Sequence, residues 1–201
     1  MNEDDLVKIF IGITRYSTYL QNLKKKQKVL EAQNDAGLTD LEMVVIHSYT
    51  DVFFDEINKY LREGKFRSPY TQEQLDNYSN VLSRAIKKLP IKDGEVRLRR
   101  DIWLSPEMIE SLRNNIDKKI KFSAFTSTTQ HKHSVMESRK LNCRMEIKSA
   151  SGRDISVFSF YSRVEQEVLF DMDTIFVVKS VDIDPFKNTV TVVILDENVE
   201  E

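Results

Sequence analysis

The sequence predicts an α+β fold, and three features carry that prediction. Apolar residues recur at helical intervals as far as Pro90. Beyond it the period falls to two, and a succession of strand candidates follows. The 201 residues, 40 % of them hydrophobic and 31 % charged, suffice for one well-buried core. Helices first and strands after, with no repeat or low-complexity linker between them, read as α+β rather than alternating α/β. One domain spanning 1–201 is expected, with a helical lobe over 1–90 and a β-rich lobe over 91–201 sharing a core.

The elements follow in order. Leu6, Phe10, Ile13, Leu20, Leu23 and Leu30 form one apolar stripe on a long first helix, with Lys24-Lys25-Lys26 on its wet face. Asn34-Asp35-Ala36-Gly37 ends it. Thr39-Asp40-Leu41-Glu42 has capping-box spacing and opens a helical region that continues through Leu61 and stops at Gly64. A further helix over Gln72–Leu89 turns Leu75, Leu82, Ile86 and Leu89 inward and ends at Pro90. Strands are expected at Glu95–Trp103, Ile120–Ser127, Asn142–Ser149, Gln166–Phe170, Ile175–Ile183 and Thr189–Leu195. One helix interrupts them, with Ser105 as N-cap and Pro106 at its first position, running to about Ile116.

Composition excludes several function classes. A net charge of -2 gives no basis for nucleic acid or an anionic membrane as the main partner. Five glycines, arranged in neither P-loop nor GxGxxG order, leave no glycine-rich phosphate loop. A single cysteine, Cys143, excludes an internal disulfide framework and a cysteine-based zinc cluster, and no metal is expected. Its place in a strand marks it as a small half-buried residue rather than the partner of a catalytic His. No apolar run approaches the roughly 18 residues needed to span a bilayer. The acidic start Met1-Asn2-Glu3-Asp4-Asp5 lacks the features of a secretory signal, so the chain is expected in the cytoplasm or exported without a cleavable signal.

Three short segments of the second half concentrate chemistry. In Val96-Arg97-Leu98-Arg99-Arg100-Asp101-Ile102-Trp103, alternation puts Arg97, Arg99 and Asp101 on one face of a strand. These are solvated charges, or arginines aimed into a cleft, where the planar fork suits phosphate. Phe122-Ser123-Ala124-Phe125-Thr126-Ser127-Thr128-Thr129 runs two aromatics into a hydroxyl cluster, either a Ser/Thr turn or a polar site wall. Glu165-Gln166-Glu167-Val168-Leu169-Phe170 places two glutamates on one face at the head of an apolar strand. Like charges that close call for a nearby cation or reacting centre unless both lie on an exposed edge.

Together these segments resemble the arginine–serine–glutamate class of mono-ADP-ribosyltransferases. That class has an aromatic-Arg strand, a Phe-x-Ser-Thr-Ser strand end and a Glu-x-Glu before an apolar strand, in this order. The counterparts are Leu98-Arg99-Arg100, Phe125-Thr126-Ser127-Thr128-Thr129 and Glu165-Gln166-Glu167. Gly152-Arg153-Asp154-Ile155-Ser156 with Phe158-Ser159 resembles the approach to the family's Glu-x-Glu loop. Thr39–Glu42, Ser48-Tyr49-Thr50, Ile57-Asn58 and Leu61-Arg62 resemble its helical half. The chain departs from the pattern at Leu98, where an aromatic is usual, and at Thr129 in place of the last serine. Arg97 competes with Arg99 for the arginine role. Gln130–Leu141 holds no aromatic to stack on nicotinamide, and His131 and His133 within it read as loop residues.

The resemblance implies a helical half packed on a mixed β-sandwich and an enzyme that uses NAD as co-substrate. Glu167 would hold the ribose 2′-hydroxyl and stabilise the oxocarbenium-like sugar. Arg99 would pair with the NAD phosphates, and Ser127 would brace Glu167 and the ribose. Thr128 and Arg100 complete the implied cofactor contacts. Glu165 would orient an arginine of a target protein and accept its proton, since Glu at that position implies arginine as acceptor. Phe160 and Tyr161 either contact that protein substrate or pack in the core. The implied reaction is transfer of ADP-ribose to arginine, by an exported effector, a toxin or an endogenous enzyme. Two alternatives remain: an NAD glycohydrolase, or a catalytically silent binding module of the same fold.

Overall fold

The computed structural model of the chain describes residues 2–91, 97–130, 141–161, 166–184 and 189–196. It divides into two compact units. One comprises Met1–Pro90 with Arg153–Arg163, the other Ile91–Gly152 with Val164–Glu201. Among the described residues, no helix is long and apolar enough to cross a membrane.

The first unit is helical: α1 (Glu3–Ile11), α2 (Ile13–Lys24), α3 (Gln27–Ala36), α4 (Asp40–Ser48), a π-helical turn (Tyr49–Phe53), α5 (Phe54–Glu63) and α6 (Gln72–Lys87). The single long first helix expected from the apolar stripe is three helices. Gly12 sits at φ +89°, capping α1 and opening α2, and the backbone turns there because glycine has no Cβ penalty at positive φ. Ile13, just past the break, is 70 % exposed and leaves the stripe. The capping box of α4 forms as its spacing predicts. Glu42 N donates to Thr39 Oγ1 at 3.2 Å, and Thr39 N to Glu42 Oε2 at 2.8 Å. Every residue of Leu41–Ser48 is buried, so α4 is the central helix of this unit. Phe10, Phe53 and Tyr78 pack together in tilted and edge arrangements, with ring centroids 4.7 to 5.6 Å apart.

The second unit is a mixed sheet with one covering helix. Its strands are β1 (Arg97–Ile102), β2 (Lys119–Phe122), β3 (Thr126–Thr129), β4 (Cys143–Lys148), β6 (Glu167–Phe170), β7 (Thr174–Asp184) and β8 (Thr189–Asp196), while the two-residue β5 (Arg153–Asp154) belongs to the helical unit. The seven run side by side in the order β2-β7-β8-β4-β1-β3-β6. β4 and β8 are parallel, and the other described pairings are antiparallel. The α+β class and the mixed sheet therefore agree with the sequence reading.

One expected strand divides. Ile120–Ser127 becomes β2 and β3, which lie far apart in the sheet order. The reason is local: Ala124, Phe125 and Thr126 are all buried in succession, which alternation cannot provide, so the chain leaves one strand and crosses to another. Alternation holds along β3, β4 and β8, whereas all four residues of β6 are buried and β7 shifts register between Val178 and Ser180. Leu98, Cys143, Met145, Ile147, Val168, Phe170, Phe176, Val178, Val192 and Ile194 share one face and form the core, with Ile109 and Leu112 of α7 (Pro106–Arg113) packed against it. Ser105 caps α7 and Pro106 opens it, as read from the sequence.

Candidate active site

On the face of the sheet opposite the core, strand register decides what β4, β1, β3 and β6 display. Arg99 on β1 stands opposite Thr129 on β3, and Thr129 stands opposite Glu167 on β6. Across its other edge Arg99 faces Glu146 on β4. The result is a lateral row, Glu146–Arg99–Thr129–Glu167, over four neighbouring strands. At the usual strand spacing, the backbones of Arg99 and Glu167 are roughly 10 Å apart. Ser127, two residues from Thr129, shares this face.

Within the row lies a short charge-assisted hydrogen bond. Ser127 Oγ donates to Glu167 Oε1 at 2.6 Å. Glu167 is only 5 % exposed although it opens its strand, so its carboxylate is removed from bulk water and depends on such donors. Ser127 itself is half-buried. The buried Thr128 projects the other way, where its Oγ1 donates to the Val168 carbonyl oxygen at 2.8 Å and staples β3 to β6.

Parity separates the two arginines of the motif. Arg99 lies on the face opposite the core. Arg100 lies on the face of Leu98, and its Nη1 donates to the Ser127 carbonyl oxygen at 3.1 Å. That bond fixes the backbone under Ser127. Arg97 pairs with Lys148, two residues along the strand from the row of Glu167, and its side chain lies outside the described residues. Glu165, His131 and His133 also lie outside them.

Two further residues share the face of Arg99 and were not singled out by sequence. Arg144 grips Asp101 through two bonds of 2.9 and 3.1 Å, and Glu146 stands next to Arg99. Their signal was the polar phase of Cys143-Arg144-Met145-Glu146-Ile147-Lys148, which alone looks like any half-solvated strand. Cys143, on the core side, is 3 % exposed. Burial, with the nearby Asp101 charge, pushes its thiol up to about 12, so it stays protonated and inert at neutral pH.

The turn before β5 holds β6 in place. Asp196, buried at the end of β8, accepts from Ala150 N (3.1 Å), Ser151 N (2.7 Å) and Ser151 Oγ (2.5 Å). Gly152 is thereby set against Val168 and Phe170 of the strand that Glu167 opens, so closely that a Cβ would lie 2.7 Å from Val168.

The structure thus brings a buried carboxylate, the serine that donates to it and an arginine into one row of the sheet. Residues 13–200 match the family described as ADP-ribosyltransferase exoenzyme. The chain belongs to this family. Solved structures agree on the fold. The ADP-ribosyltransferase HopU1 of Pseudomonas syringae pv. tomato superposes with a TM-score of 0.75 at 19 % identity, over 90 % of this chain and 87 % of that one. The type III effector XopAI of Xanthomonas axonopodis pv. citri gives 0.73 at 16 %, over 96 % and 80 %. Exoenzyme S of Pseudomonas aeruginosa, solved with human 14-3-3 protein beta and carba-NAD, gives 0.66 at 18 %, over 92 % and 90 %. No curated protein matches the sequence. As a member of the exoenzyme family, the chain is an NAD-dependent ADP-ribosyltransferase by fold and sequence.

Phe160 and Tyr161, in the helical unit, are 48 % and 46 % exposed, with their rings 5.2 Å apart in an edge arrangement. Neither is a core residue.

Proposed function

We propose that this exoenzyme transfers ADP-ribose from NAD to an arginine side chain of a target protein and releases nicotinamide. The observation that carries the reading is the 2.6 Å bond from Ser127 to the buried Glu167, in register with Arg99.

Each residue has a chemical part. The bond between ribose C1′ and nicotinamide breaks with its electron pair leaving on the nicotinamide nitrogen, which becomes neutral. Positive charge develops on the sugar, and Glu167 offsets it while accepting from the 2′-hydroxyl. Ser127 keeps that carboxylate in one orientation. Arg99 binds the NAD phosphates through its planar fork. Arg100 and Thr128 serve NAD binding from the opposite face, by fixing the Ser127 backbone and the β3–β6 pairing. An arginine nitrogen of the target then attacks C1′, and its proton passes to Glu165. Phe160 and Tyr161 meet the protein that carries this arginine. The setting that fits is an effector or toxin delivered to the cell where its target resides.

The test compares wild type with Glu165→Gln, using agmatine as a free guanidine acceptor. Nicotinamide release and ADP-ribosyl-agmatine are measured side by side. Glu165→Gln should retain slow NAD hydrolysis and lose agmatine modification, because water needs no residue to orient a guanidinium. Equal loss of both assigns Glu165 to NAD chemistry. Equal retention of both removes Glu165 from the acceptor role, and a wild type that only hydrolyses NAD replaces arginine transfer with the glycohydrolase reading.

A further inference from the structure

The helical unit contains a buried histidine that NAD chemistry does not use. His47, on the last turn of α4, is 5 % exposed. Its Nδ1 lies 2.8 Å from the Phe158 carbonyl oxygen, and because a carbonyl only accepts, Nδ1 carries the proton. Thr50, in the π-helical turn, completes the junction. Its Oγ1 accepts from Phe160 N at 2.8 Å and donates to the His47 carbonyl oxygen at 2.9 Å. These three bonds form a clasp around Phe158–Phe160 that ties both residues to it. The His47 ring also packs on the Phe160 ring at 5.6 Å, and the Tyr19 ring meets His47 edge-on at 4.9 Å. Burial holds the imidazole below its ordinary pKa, so it stays neutral at pH 7.

What the clasp holds is informative. Phe158 and Ser159 are fully buried, while Phe160 and Tyr161 follow with nearly half their surface in water. Folding does not require two exposed aromatics on a pinned backbone. Aromatic side chains presented on a rigid base are the common anchors of protein interfaces. π-Helical turns recur at functional sites, where they re-aim side chains that a regular helix would not present.

We infer that His47 and Thr50 are positioning residues for the acceptor protein, fixing Phe158–Tyr161 so that Phe160 and Tyr161 form a preorganised docking pair. The inference rests on the proposed transfer to protein and adds what holds the docking pair in place.

The test uses labelled NAD, the full chain and a eukaryotic cell lysate. Label incorporated into lysate protein is measured beside nicotinamide release from NAD alone. Thr50→Val removes the hydroxyl at constant volume, and Thr50→Ser keeps it. His47→Leu removes the donor, and His47→Asn keeps one at similar reach. Thr50→Val and His47→Leu should lose about fivefold or more of protein labelling, as expected when an interface aromatic is displaced. Nicotinamide release should stay at the wild-type rate. Thr50→Ser and His47→Asn should restore labelling, and Phe160→Ala should reproduce the loss. Thr50→Val or His47→Leu with a parallel fall in nicotinamide release, or with labelling unchanged while Phe160→Ala fails, overturns the inference. Wild type that cleaves NAD but labels no protein overturns the transfer reading and the inference with it.

Discussion

Ser127→Ala removes one oxygen from the centre of the site. The bond it breaks is 2.6 Å long, at the short end for a hydroxyl on a carboxylate, and Glu167 is nearly excluded from water. Hydrogen bonds to charged groups contribute about 1.5–3 kcal/mol. If that energy orients Glu167 toward the developing sugar cation, its loss appears in kcat/KM as about 10- to 150-fold at 1.36 kcal/mol per decade. The assay is nicotinamide release as a function of NAD, with thermal melting to confirm folding. Ser127→Thr keeps the hydroxyl and should recover most of the rate, whereas Ser127→Ala should not. An alanine variant whose kcat/KM matches wild type would refute the assignment of Ser127 as the brace of Glu167.

Other perturbations test separate links. Gly152→Ala would drive a Cβ to 2.7 Å from Val168 and from Ser149 Oγ, costing about 1–3 kcal/mol of stability and displacing β6; a melting temperature equal to wild type would contradict this packing. Arg99→Lys should weaken NAD binding far more than Arg97→Lys, since lysine lacks the bidentate fork. NAD titration that ranks them the other way shifts the site by two residues along β1. Cys143 should resist alkylation in the native chain at pH 8 and react promptly once unfolded. Its thiol is raised above its ordinary 9.0 to about 12, so the unfolded chain releases this proton first. The stability it contributes is complete below pH 9 and is lost as pH rises toward 12; prompt native alkylation would place the thiol outside the core.

What the sequence disclosed follows from how local each signal is. Capping at Thr39 and Ser105 depends on residues three apart, and both caps form where they were read. Strand alternation is also local, and it puts Arg97, Arg99 and Asp101 on one face; Arg100, implied as a cofactor contact, lies on the other. The break at Gly12 was harder, because the apolar stripe runs on through a residue whose φ only the tertiary structure sets. The division of Ile120–Ser127 lay in the adjacent buried pair Ala124-Phe125, a defect of period that a short strand hides. Register is not local at all. That Thr129 stands between Arg99 and Glu167, or that Arg144 grips Asp101, depends on which strands become neighbours. The clasp of His47 on Phe158 joins residues 111 apart in sequence and left no motif to find.

Glu167→Gln tests most directly whether the carboxylate held by Ser127 drives NAD cleavage. The substitution keeps the size of the side chain and removes its charge. Nicotinamide release under saturating NAD, measured beside circular dichroism, should fall by about 100-fold or more, equivalent to about 3 kcal/mol of lost charge stabilisation, with the fold unchanged. A folded Glu167→Gln variant that cleaves NAD at the wild-type rate would assign the chemistry to another group and contradict the site described here.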